Sequence, residues 1–167
     1  MNLLFLDFDD CIINWNISPI DRLKELRFNL QCIKDFCLNN NYKIGVTSSW
    51  SPLFYPDSLQ LKDKFNDLPG HEKEIVKVLN EHIGDLVIYT DKYKDRVKFI
   101  KELSNKYLNN LHLVLDDFPL PELADLKNVI YLQTINGIMY RYKGEIVGNL
   151  LKLDNLIKKN QRSKYAS

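Results

Sequence analysis

Apolar residues along this chain fall into two alternating patterns. Short unbroken runs at 3–6, 42–46, 86–89, 111–115 and 129–132 are too brief for helices and read as buried strands. Between them, apolar positions recur at helical spacing. Ile20, Leu23, Leu26, Leu30, Ile33 and Cys37 mark one helix, opened by Ser18-Pro19 and stopped by Asn39-Asn40-Asn41. Ile75, Val76, Leu79 and Ile83 mark a second, and Tyr93, Val97, Ile100, Leu103 and Tyr107 a third. Residues 138–147, centred on Lys143-Gly144, predict a hairpin, and 150–157 a closing helix. Pro52, Pro56 and Pro69 make 51–70 irregular, with at most a short helix. Strands alternating with helices imply crossover units and a parallel sheet covered on both faces: an α/β, three-layer, Rossmann-like domain. We read 1–160 as that domain and 161–167 as a flexible basic tail.

In such sheets ligands bind beyond the carboxyl ends of the strands, where strand order reverses. Here those ends carry chemistry. The first strand runs into Asp7 and Asp9, the second into Thr47 and Ser48, and the run at 111–115 into Asp116 and Asp117. One Asp after a strand is an ordinary turn-former. Two acidic clusters converging on one edge repel each other, at about 4 kcal/mol for charges 4 Å apart near a protein surface. A hard divalent cation relieves that repulsion, and Mg²⁺ favours a few carboxylates with water and phosphate oxygens.

Composition narrows the picture. A chain of 167 residues with 45% hydrophobic and 27% charged residues can bury a core without staples. A net charge of +1 leaves no global footprint for nucleic acid. Only the terminus is basic, at Lys158, Lys159, Arg162 and Lys164. Cys11, Cys32 and Cys37 form no CxxC pair, which points to a reducing compartment. The apolar start turns acidic at once, unlike a signal peptide, and no run is long enough to span a membrane. The expectation is a cytoplasmic protein without membrane contact, a monomer or small homo-oligomer. His71, His82 and His112 lack metal-ligand spacing and read as structural.

The segment Leu4-Phe5-Leu6-Asp7-Phe8-Asp9-Asp10-Cys11-Ile12 resembles the first motif of the haloacid dehalogenase superfamily, an apolar strand followed by Asp-x-Asp. Val46-Thr47-Ser48 resembles the second motif, Lys94 the third, and Val114-Leu115-Asp116-Asp117 the fourth, in the family's order. Thr47-Ser48-Ser49-Trp50, Tyr93-Lys94 and Leu132-Gln133-Thr134 with Gly137-Ile138 are similar to compact domains of that superfamily in phage and nucleic-acid-repair proteins. Asp10 and Cys11 depart from the common Gly and Thr or Val.

The resemblance implies a phosphatase working through an aspartyl-phosphate. Asp7 would be the nucleophile and Asp9 the general acid and base. Thr47, or Ser48, would bond a phosphoryl oxygen. Lys94, with Lys92 and Lys98 as rivals, would neutralise charge. Mg²⁺ would be held by Asp7, the backbone carbonyl of Asp9, and Asp116, with Asp117 nearby.

The interval between the first two motifs leaves no room for a helical cap, and 51–90 forms a small lid at most. An open site suits large or end-presented substrates: a nucleotide or a nucleic-acid 3′-phosphate first, a phosphorylated protein or small molecule next. Trp15 and Trp50 follow catalytic motifs and offer base-stacking surfaces, worth about 1–3 kcal/mol per base, or simply pack the rim of the core. Competing readings are a catalytically idle domain of the same fold that binds a nucleotide or a protein, and a phosphotransferase.

Overall fold

Alternation along β1 (Asn2–Leu6) divides the molecule into layers. In a computed structural model, which describes residues 1–50, 67–91, 94–135, 139–142, 145–148, 153–155 and 157–158, Leu4 and Leu6 enter one apolar core and Leu3 and Phe5 another. All four are fully buried, as a strand covered on both faces requires.

The first core lies under α1 (Pro19–Asn40) and α2 (Gly70–Ile83). Leu26, Leu30, Ile33 and Cys37 of α1 and Ile75, Val78, Leu79 and Ile83 of α2 meet the sheet there. Ser18 caps α1 by accepting the Asp21 N–H, with Pro19 in the first turn. Asn41 ends the helix in the left-handed region, at φ 57°. Leu153 and Ile157, in the closing helical segment, complete this core.

The second core lies under α3 (Arg96–Lys106) and a single 3-10 turn, Pro121–Leu123, which periodicity did not foretell. Phe99, Ile100 and Leu103 of α3 meet Phe5 and Val114 there. Buried His112 ties the layers together. Its Nδ1 accepts the Leu3 N–H at 3.0 Å, so its Nε2 donates to the Tyr107 carbonyl, also at 3.0 Å.

The remaining strands are β2 (Tyr42–Val46), β3 (Val87–Thr90), β4 (His112–Asp116), β5 (Val129–Ile135), β6 (Met139–Tyr142) and β7 (Glu145–Gly148). They form one sheet in the order β3-β2-β1-β4-β5-β6-β7. β1 to β5 are mutually parallel, with Leu6 opposite Val46 on one side and Leu115 on the other. This is the α/β, three-layer, Rossmann-like arrangement the pattern predicts. The expected hairpin is β6–β7, which extends the sheet antiparallel to β5. Strand order reverses between β1 and β4, and at their carboxyl ends a sheet of this kind offers a place for a ligand.

Two expectations shift. The helix expected from Tyr93 begins at Arg96, because Asp95 caps it by accepting the Lys98 N–H at 3.2 Å. Lys94 therefore precedes the helix, in the left-handed region at φ 51°. Of the segment 51–90, expected to form a small lid at most, residues 70–83 and 87–90 belong to the helical layer and the sheet, and 51–66 lie outside the described residues, as do the rival Lys92 and the tail at 161–167. No helix among the described residues is long and apolar enough to cross a membrane.

Candidate active site

Four parallel strands deliver polar residues to one edge. Past the end of β1, the Asp7 N–H donates to the Leu115 carbonyl at 3.1 Å. The Thr47 N–H donates to the Leu6 carbonyl at 3.0 Å, and the Asp91 N–H to the Val46 carbonyl at 2.9 Å. The ladder thus continues one residue beyond each strand, so Asp7 and Thr47 are held by backbone pairing and not left on mobile loops.

Asp7, Asp116 and Asp117 converge at the reversal point. One carboxylate oxygen from each lies within 4.8 Å of the others. Asp116 is fully buried and Asp7 is 5% exposed. Backbone geometry fixes the Asp116–Phe118 turn: the Phe118 N–H donates to Asp116 Oδ1 at 2.9 Å, Gln133 Nε2 to the Asp117 carbonyl at 3.2 Å, and the Tyr131 hydroxyl to the Phe118 carbonyl.

Burial pushes the Asp7 carboxyl up to about 8, with further upward pressure from the Asp116 charge and a shared hydrogen bond to Asp117. Arg96 opposes that rise without cancelling it. Burial likewise raises Asp116, against the pull of the Phe118 N–H and Arg96. At both residues burial is the main cause, and Arg96 offsets it only in part.

The cation that answers them is Arg96. Its Nη1 lies 2.7 and 2.8 Å from the two Asp116 oxygens and 3.8 Å from Asp7 Oδ2. Arg96 escaped the sequence reading, which sought a lysine. A clue was present: it opens α3 with no acidic residue in the first turn, where the helix dipole disfavours a cation. A cation in that position needs carboxylates from elsewhere. Lys94 is exposed and forms no ion pair with Asp7 or Asp116, and Lys98 is exposed on α3.

Thr47 lies just past the end of β2, on the same edge as Asp7. Its Oγ1 is buried and has no hydrogen-bond partner among the described residues. Such a hydroxyl is an open invitation to an oxygen-rich ligand. Ser48 is also buried, and its Oγ accepts the Trp50 N–H at 3.2 Å.

Asp9 is not part of the three-carboxylate cluster. The turn that follows it is tight, with the Phe8 carbonyl accepting the N–H groups of Cys11, Ile12 and Ile13. Asp10 takes a left-handed φ of 58°, a conformation that glycine adopts more readily than other residues. The Asp9 carboxylate faces Trp15 and Trp50, whose indole Nε1 atoms lie 2.9 and 3.0 Å from Oδ1. The rings stack with centroids 6.4 Å apart and an interplanar angle of 23°.

The donor set suits a hard divalent cation: three clustered carboxylates, of which Asp7 and Asp116 are buried and Asp117 half-buried, with a hydroxyl on the neighbouring strand end that has no partner among the described residues. Compared with models of protein families, with curated proteins and with solved structures, the chain has no significant match.

Proposed function

We propose that the chain is a divalent-cation-dependent phosphohydrolase of the haloacid dehalogenase type, with Asp7 as its covalent nucleophile. The observation that carries this reading is the convergence of Asp7, Asp116 and Asp117 at the reversal point of a parallel sheet. The order of Asp7-Phe8-Asp9, Thr47 and Asp116-Asp117 along the sequence supports it too, whereas Lys94, expected as the third motif, does not reach the carboxylates.

Asp7 attacks phosphorus, the bond to the leaving oxygen breaks, and Asp9 gives that oxygen its proton. Water then attacks the aspartyl-phosphate, Asp9 takes the water's proton, and inorganic phosphate leaves. The buried Thr47 hydroxyl donates to a phosphoryl oxygen. Arg96 balances charge on Asp7 and Asp116 between turnovers.

Asp7, Asp116 and Asp117 would hold the Mg²⁺, which supplies charge neutralisation for the carboxylates and the phosphoryl group. That role matches the raised Asp7 carboxyl, which must lose its proton to act as a nucleophile. Substrates are phosphomonoesters, with nucleotides and nucleic-acid 3′-phosphates the first to examine.

The test is phosphate release from mononucleotides and 3′-phosphorylated oligonucleotides, with Mg²⁺ or with a chelator. Wild type releases phosphate only with the metal. Asp7→Asn, of nearly equal size, lowers the rate by at least about a thousandfold, the scale expected when a covalent route closes. No release from any phosphoester ends the reading.

A further inference from the structure

The Asp9 carboxylate meets two indole donors at once. Trp15 Nε1 lies 2.9 Å from Oδ1, and Trp50 Nε1 lies 3.0 Å from both oxygens. Neither ring is free to turn away. Trp50 stacks on Trp15, and its backbone N–H is held by Ser48.

The Arg22 guanidinium lies over the Trp15 ring, 4.4 Å from its centroid. Arg22 is itself buried and held by four polar contacts. Nε donates to the Asn14 carbonyl, Nη2 to the Trp15 and Ile17 carbonyls, and Nη1 lies 2.8 Å from His71 Nε2 at the start of α2. The His71 ring meets Trp15 edge-on at 6.3 Å. A rigid path therefore runs from α2 and α1 through Arg22 and Trp15 to one carboxylate.

From this geometry we infer that Trp15 and Trp50 are positioning residues that clamp the Asp9 carboxylate through paired indole N–H donors, rather than stacking platforms for a substrate base. The inference builds on the phosphohydrolase reading, in which Asp9 moves the proton. A side chain that must meet first a leaving oxygen and then a water gains from a fixed direction. Indole suits the task because its N–H only donates and its broad ring is held by packing. Two stacked indoles with their N–H groups committed to a carboxylate offer a base less open face than two free rings would.

The chain has only two tryptophans, so the intact protein shows two indole N–H signals in a ¹H–¹⁵N spectrum. Asp9→Asn removes the charged acceptor while keeping its shape. The clamp requires both indole signals to move, with the protons shifting upfield. Trp15→Phe and Trp50→Phe keep an aromatic ring and delete one donor each. Each is expected to lower kcat about tenfold, as loss of one hydrogen bond to a charged group does, with KM within about twofold. Stacking platforms give the opposite split, a raised KM with kcat preserved. Indole signals that ignore Asp9→Asn, or that opposite split, overturn the clamp. A wild-type protein that releases no phosphate overturns the phosphohydrolase reading instead, and the indole signals then report the contact alone.

Discussion

Arg96 shows how one side chain can hold a site together. Asp116 is wholly buried, and both of its oxygens reach the same guanidinium nitrogen. A carboxylate in that setting without a partner is expensive. The guanidinium is about one-third exposed, so solvent screens part of the loss. Arg96→Ala is expected to destabilise the metal-free protein by about 1–3 kcal/mol, read from urea midpoints at constant slope. On the proposed reading added Mg²⁺ should recover part of that loss, because it would supply charge to the same carboxylates. An alanine variant as stable as wild type without metal would show that Arg96 is a surface residue. Asp10 and Lys94 carry another residue-level cost, since both adopt positive φ without being glycine. Asp tolerates that conformation through local hydrogen bonding, and lysine has no such help.

Among the elements, β2 carries the tightest constraint. A Cβ on Gly45 would stand 3.3 Å from Phe5 Cδ1 and 3.5 Å from Phe99 Cε1. The glycine thus lets Phe5 and Phe99 meet edge to face, at 5.8 Å between centroids. Gly45→Val is expected to cost about 1–3 kcal/mol through overpacking, measured by thermal or urea denaturation. The strain would fall on β1 and β2 just before Asp7 and Thr47, so turnover should drop as well. A valine variant with full stability would mean that the second core has slack at this point. α3 teaches a different lesson. Its start was expected two or three residues early because Tyr93 fits the apolar spacing, whereas Asp95 is the residue whose side chain closes the first turn. A cap hydrogen bond decides a boundary that periodicity only brackets.

The molecule as a whole stores a pH dependence in its carboxylate cluster. The ordinary value for Asp7 is 3.8, and in the fold its carboxyl is pushed up to about 8. Between those values the native state holds a proton that the unfolded chain has released. Stability from this group is therefore complete below about pH 3.8 and is lost as pH rises through about 8. Metal-free wild type should lose melting temperature over that window more steeply than Asp7→Asn, which cannot titrate there. On the proposed reading Mg²⁺ would have to displace the proton, so its stabilisation should be larger above about pH 8 than near pH 6. Equal slopes for the two proteins, or a pH-independent Mg²⁺ effect, would contradict this assignment.

Most of the frame was legible in the chain alone. Runs of apolar residues mark strands buried on both faces, three-to-four spacing marks the helices, and acidic tips after β1 and β4 mark the edge where the carboxylates gather. Those features are local: each residue's own neighbours reveal its burial. What no local pattern carries is which strand lies beside which, since runs such as Leu3–Leu6 and 113–115 are equally apolar. Nor does it reveal that Arg96 reaches back to Asp116, or that Trp50 crosses 41 positions to share Asp9 with Trp15. Such contacts depend on the packing of whole layers, where fit and charge balance choose among partners that composition treats alike.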